Sequence, residues 1–296
     1  MAHRYVRVQS SSGQILYGLL QADREVQVLD APPWHNGQLT DQSLSVDSYT
    51  LLAPCAPSKV LAVGRNYAKH AAEFDNEVPK KPLLFMKPST AVVAADAPIR
   101  YPSQSKRVDF EGELAVVIGA RCCNCELAEA RNKIWGYTIA NDVTARDLQR
   151  QDGQWTRAKG FDSFCPLGPW IVREIPAGAG LQTFVNDADV PSQSATIADM
   201  IFSPEYLVSY ISQAITLLPG DVVLTGTPEG VGPVSVGDRI RIEIEGIGCL
   251  ENTVQLKNNE KAPVSKELAL QKADFLMSTL NKEATSEAIL SRATVH

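Results

Sequence analysis

The chain has 296 residues, 44% of them apolar and 21% charged, with a formal charge of −6; it reads as globular and is long enough for one large domain or two. The negative balance argues against nucleic acid or an anionic membrane surface as the main partner. No run of about 18 apolar residues is present, and Met1-Ala2-His3-Arg4-Tyr5-Val6 lacks the apolar core of a signal peptide, so a cytoplasmic location is expected.

In chain order, residues 4–29 alternate polar and apolar side chains in three short stretches, with turn signals at Ser10-Ser11-Ser12-Gly13 and Ala22-Asp23-Arg24-Glu25. That pattern predicts a small β-meander. Several prolines across 31–58 read as a connector, giving residues 1–58 as a small N-terminal domain. From Lys59 the texture becomes β-rich. Strands are predicted at Val60–Val63, Leu83–Lys87, Phe110–Ile118, Trp135–Asn141, Trp170–Arg173, Thr183–Val185, Asp221–Leu224 and Arg239–Ile244, with helices at Tyr67–Glu73 and Pro204–Ile215. Residues 59–256 form the expected catalytic domain. The polar tail 257–296 has helical spacing over Ser265–Leu280 and reads as a helical extension.

The chemistry-bearing residues also come in chain order. His70 lies in Gly64-Arg65-Asn66-Tyr67-Ala68-Lys69-His70-Ala71-Ala72-Glu73, where Glu73 is three residues on and shares its helix face. A carboxylate on one imidazole nitrogen fixes the tautomer and makes the other nitrogen a better base; a plain surface His/Glu pair has the same spacing. Glu111-Gly112-Glu113 opens an apolar run, and side chains at i and i+2 of a strand share a face. Asp142 ends the next apolar segment. Three carboxylates brought together make an all-oxygen site for a hard divalent cation, although a half-exposed strand could also carry the first two on its wet face. Lys159 sits between aromatic residues and a glycine, as a lysine facing an anionic substrate or as a solvated one. Leu224-Thr225-Gly226-Thr227-Pro228-Glu229-Gly230-Val231-Gly232 is a glycine-rich turn able to offer backbone N–H groups to an anion. It has neither the P-loop ending nor the dinucleotide spacing.

Six cysteines in a chain this long are no disulfide framework. Cys122-Cys123-Asn124-Cys125 lacks a second Cys/His pair at zinc spacing and reads as a turn with reduced thiols.

Taken together, six ordered motifs resemble the fumarylacetoacetate hydrolase superfamily. They are Gly64-Arg65-Asn66-Tyr67 with His70 and Glu73; Phe85-Met86-Lys87-Pro88-Ser89; Asp109-Phe110-Glu111-Gly112-Glu113-Leu114; Asn141-Asp142-Val143-Thr144-Ala145-Arg146-Asp147; Lys159-Gly160-Phe161-Asp162; and the 224–232 turn. The match is best to the branch of acylpyruvate hydrolases, oxaloacetate decarboxylases and homoprotocatechuate-pathway isomerases. The resemblance implies an α+β fold, a mixed β-sandwich roll with a small N-terminal β-rich domain, assembled as a homodimer. It implies Glu111, Glu113 and Asp142 as ligands of Mg2+ or Mn2+. His70 and Glu73 would be a dyad on a lid, Lys159 would face the metal-bound substrate, and Arg65, Gln149 and Thr227 would be substrate contacts. The implied activity is metal-dependent C–C cleavage of a short 2-oxo or 2,4-dioxo acid through a stabilised enolate, as in an acylpyruvate hydrolase or oxaloacetate decarboxylase. The alternative is an isomerase or tautomerase using the same enolate without cleavage. A fold kept only as a binding scaffold is disfavoured, because a scaffold has no need to gather three carboxylates.

Overall fold

Alternation in Arg4-Tyr5-Val6-Arg7-Val8 buries Val6 and Val8 and makes the first strand of the computed structural model, which describes residues 3–73 and 77–256. The expected C-terminal helical extension lies outside the described residues.

The meander comprises β1 (Arg4–Ser10), β2 (Ile15–Leu20), β3 (Val26–Leu29), β4 (Leu39–Leu44) and β5 (Tyr49–Leu52). Next come β6 (Val60–Gly64), helix α1 (Ala68–Glu73), β7 (Leu83–Lys87), β8 (Val92–Val93), β9 (Ile99–Tyr101), β10 (Val108–Phe110) and β11 (Gly112–Ile118). Helix α2 (Leu127–Lys133), β12 (Ile134–Asn141), β13 (Thr144–Ala145), α3 (Arg146–Asp152), α4 (Thr156–Lys159) and β14 (Cys165–Val172) follow. The described chain closes with β15 (Gly180–Val185), β16 (Gln193–Thr196), α5 (Pro204–Ser212), β17 (Val222–Leu224), β18 (Gly232–Val234), β19 (Arg239–Ile244) and β20 (Gly248–Leu256).

The strands form three sheets. The largest runs β4-β3-β2-β1-β14-β12-β11-β17-β6-β7, with β5 and β8 attached to β1 and β14. The meander thus hydrogen-bonds onto β14, with Tyr5 opposite Ile171. A second sheet, β16-β15-β19-β20-β9, packs over β11, β12 and β14, and a small third sheet is β13-β10-β18. β11 is buried on both faces, as its near-continuous apolar run requires. Leu114 and Val116 share a face with Gly112, which lies directly under Thr183 and Ile242 of the second sheet. Ala115 and Val117 face the other way, into a core of Ala62, Ala140, Leu167, Ile171, Val222 and Leu224. Glu113 continues that Ala115–Val117 row, so its carboxyl emerges at one end of the core. In β19, Ile240, Ile242 and Ile244 are buried while Arg239, Arg241 and Glu243 alternate outward.

The strand expected over Phe110–Ile118 is divided. β10 belongs to the small sheet and β11 to the large one, and Glu111 is the residue at the break. The predicted helix from Pro204 starts where expected, with Ser203 as N-cap accepting from the Tyr206 amide, but ends at Ser212. No helix among the described residues is long and apolar enough to cross a membrane.

Candidate active site

The break at Glu111 is stitched to the strand beside it. The Glu111 amide donates to Asn141 Oδ1 at 3.0 Å, and the Asp142 amide donates to the Glu111 carbonyl at 2.8 Å. These bonds place Asp142 beside Glu111, while Glu113 follows two residues along. Carboxylate oxygens of Glu111, Glu113 and Asp142 all lie within 4.8 Å of one another, and all three residues are buried. Among the described residues no other His, Cys, Asp or Glu cluster of this kind occurs; Cys122, Cys123 and Cys125 lie in the loop before α2.

Cations surround two of the three carboxylates. Lys159 Nζ donates to Glu111 Oε2 at 2.7 Å and to Asp142 Oδ2 at 2.6 Å. Lys87 Nζ donates to Asp142 Oδ1 at 2.5 Å and to the Val143 carbonyl at 3.2 Å. Arg146 reaches Glu111 Oε1 at 2.6 Å, Asp109 Oδ2 at 3.0 Å and Gln149 Oε1 at 2.9 Å. Glu113 has no cationic partner within ion-pair distance among the described residues; its Oε2 accepts from the Gly226 amide at 2.6 Å.

The electrostatics follow this asymmetry. Burial alone would raise the Glu111 carboxyl, but Lys159, Arg146 and His70 outweigh it and hold the group far below the usual carboxylate range. Glu113 goes the other way, pushed well up by burial and by the Asp142 and Glu111 charges. Burial would lower the Lys159 ammonium, yet Asp142 and Glu111 raise it and keep it charged. Three convergent carboxylates, one of them short of positive charge, fit a hard divalent cation with oxygen ligands.

The dyad packs against the same region. His70 Nδ1 is 3.0 Å from Glu73 Oε2, and Glu73 Oε1 accepts from the Gly230 amide at 3.1 Å. Asn66, at the start of α1, donates to the carbonyls of Phe202 and Thr225 at 2.9 and 2.8 Å. The 225–230 turn therefore serves both halves of the site, with Gly226 on Glu113 and Gly230 on Glu73.

A cavity of about 380 Å³ joins these groups. It is lined by the three carboxylates and by Arg65, His70, Gln149, Lys159 and Thr227, all expected from the sequence. Glu73, also expected, is not among the lining residues and contacts His70 instead. Thr227 is already committed, its hydroxyl donating to the Gly112 carbonyl at 2.9 Å and accepting from Gln193 Nε2 at 2.7 Å. Lys87, Arg146 and Asp109 lie in the quoted motifs but were assigned no role from the sequence. Lys87 ends an otherwise apolar strand, which was the available signal; the structure buries it completely, a position lysine rarely takes unless paired.

A family model described as fumarylacetoacetate (FAA) hydrolase C-terminal matches residues 59–255, and one described as Rv2993c-like, N-terminal matches residues 3–54. The chain is 42% identical over 225 residues to the mitochondrial oxaloacetate tautomerase fahd2 of Xenopus laevis, spanning 71% of this chain and 70% of that protein. It superposes with a TM-score of 0.80 on a 5-carboxymethyl-2-hydroxymuconate delta-isomerase from Mycobacterium smegmatis, at 44% identity over 86% of this chain and 100% of that one. A fumarylpyruvate hydrolase from Pseudomonas aeruginosa, solved in complex with Mn2+ and pyruvate, gives a TM-score of 0.65 at 36% identity over 74% of this chain and 93% of that one.

Proposed function

The chain belongs to the fumarylacetoacetate hydrolase family, and from that membership and the geometry of its cavity we propose a divalent-metal-dependent enzyme that moves a proton at C3 of a short 2-oxo acid, interconverting keto and enol forms. The observation that carries this reading is His70, held by Glu73 at 3.0 Å and lining the same cavity as the carboxylates of Glu111, Glu113 and Asp142. Those three residues would hold Mg2+ or Mn2+, which when bound supplies Lewis-acid polarisation of the keto and carboxylate oxygens.

The chain's own groups do the rest. Glu73 holds Nδ1, which fixes the ring and its tautomer; Nε2, the nitrogen not engaged by Glu73, takes the C3 proton and returns it. Lys159 keeps its charge and offsets the negative charge that develops on the substrate oxygen. Arg146 and Lys87 hold Glu111 and Asp142 in place. Val63, Phe85 and Trp155 line the cavity and limit water around the reacting carbon.

A second reading is C–C cleavage, in which the same dyad activates water on a 2,4-dioxo acid, or CO2 leaves oxaloacetate. The 36% identity to a fumarylpyruvate hydrolase supports it. The test follows loss of oxaloacetate enol absorbance with Mg2+, Mn2+ or a chelator, alongside pyruvate release from oxaloacetate and from acetylpyruvate. Enol loss without pyruvate supports tautomerisation, pyruvate release supports cleavage, and activity unaffected by chelation sinks the metal-dependent reading. A homodimer belongs to the same proposal, supported by Leu83 and Met86 exposed on the edge strand β7; sedimentation would give one chain or two.

A further inference from the structure

Two cavity-lining guanidiniums are not used by the proposed chemistry. Arg65 and Arg150 both line the cavity, and neither side chain has an ion-pair or hydrogen-bond partner among the described residues. The other Lys and Arg side chains of the lining, Arg146 and Lys159, are tied to carboxylates at 2.6–2.7 Å. The contrast is chemical: one pair of cations serves the carboxylate cluster, and the other faces the cavity with its charge unspent.

Their placement is ordered. In α3, Arg146, Gln149 and Arg150 are spaced i, i+3 and i+4, so they share one helix face, and all three line the cavity, as does the C-cap Gly153. Arg146 anchors the lower end of that face to Asp109 and Glu111. Arg150 lies about one turn further on, about 6 Å along the axis. Arg65 enters from the end of β6, with its backbone in the left-handed region at φ 61°, a conformation uncommon for a residue with a Cβ. Trp155 packs on the neighbouring Gly64. Guanidinium is suited to carboxylate, which it can bind through two parallel N–H donors.

We propose that Arg150 and Arg65 form a second anion subsite that takes the distal carboxylate of a dicarboxylic 2-oxo acid, so that the enzyme selects diacids over monoacids. This rests on the 2-oxo-acid reading above. The head of the substrate sits at the carboxylate cluster, and its far end meets the two free guanidiniums.

The test compares oxaloacetate with 2-oxobutanoate, which carries a methyl in place of the distal carboxylate. Deuterium exchange at C3 is followed by proton NMR at saturating Mg2+, with the spontaneous rate subtracted. Arg150→Ala is expected to lower the diacid-to-monoacid ratio of kcat/KM by roughly tenfold to a hundredfold, the size of a lost charged hydrogen bond, mainly through the KM for the diacid. Arg150→Lys should keep part of the preference and Arg150→Glu should reverse it. Thermal melts check that each variant is folded. A ratio identical in wild type and Arg150→Ala overturns the subsite and leaves the 2-oxo-acid reading standing. A wild-type enzyme inactive on both acids overturns that reading and the subsite with it.

Discussion

Glu111 and Glu113, two residues apart, titrate in opposite directions because their neighbours differ. Burial and two carboxylate neighbours raise Glu113 in the folded state. A raised carboxyl favours folding only below its unfolded value, about 4.3, and that contribution is lost as pH rises through the folded value. Glu113→Gln should therefore raise the Tm of the metal-free protein near about pH 7, with the gap closing toward about pH 4. For Glu111 the cations outweigh burial, so its contribution is present above the unfolded value and lost as pH falls through the depressed folded value. Glu111→Gln should lower the neutral-pH Tm, and the deficit should shrink in acid. Melts of both variants across that range check the pair; shifts of the same sign would contradict the charge distribution described above. His70→Ala should slow proton transfer and acylpyruvate hydrolysis by roughly a hundredfold to ten-thousandfold, and oxaloacetate decarboxylation much less. Equal losses in steady-state assays would make His70 a positioning residue. At this scale the sequence was informative about groups with a motif around them: the carboxylates, the dyad and Lys159. It placed Lys87 and Arg146 in motifs but gave them no role, because their roles exist only once folding buries them against Asp142, Glu111 and Asp109.

At the level of elements, legibility followed the chemistry of each buried face. β7 and β19 match their expected bounds because their runs are uniformly apolar or cleanly alternating. The first half of β14 was missed: Pro166 and Pro169 interrupt it, and proline argues against a strand. β20 was missed because an inward position is polar; Asn252 is buried and donates to the carbonyls of Ala94 and Ala97. α3 has no apolar stripe, since the face it turns inward lines a charged cavity. Functional surfaces hide helices from hydrophobic periodicity for this reason. The 224–232 turn was visible, but its double task was not. Gly226 has φ 98°, and a Cβ there would lie 2.7 Å from Asn66 Cβ. Gly226→Ala should cost about 1–2 kcal/mol for the left-handed backbone alone, plus the clash. It should also weaken Mg2+ binding, because it displaces the amide that holds Glu113. Denaturant melts and calorimetry would check both effects; unchanged Mg2+ affinity would mean that the Glu113 contact is dispensable.

Across the whole molecule, the sheet order was not readable, because β1 meets β14 and β6 meets β17 over long stretches of chain. What composition did convey, an absence of disulfides, agrees with six free cysteines of which only Cys123 is exposed. Burial pushes the Cys165 thiol up to about 12. A thiol reagent should label one cysteine quickly and the other five only as the protein unfolds; rapid labelling of more than one would mean that the native state opens locally. The ring of Lys159, Lys87 and Arg146 around the carboxylates has a consequence for how the protein is made. The nascent chain brings its own counter-ions, so it need not wait for an ion in order to fold. On the proposed metal-dependent reading, metallation would then be a late event that follows folding. A chelator-stripped sample should keep its far-ultraviolet circular dichroism and a cooperative melt, and should accept Mg2+ or Mn2+ afterwards without refolding.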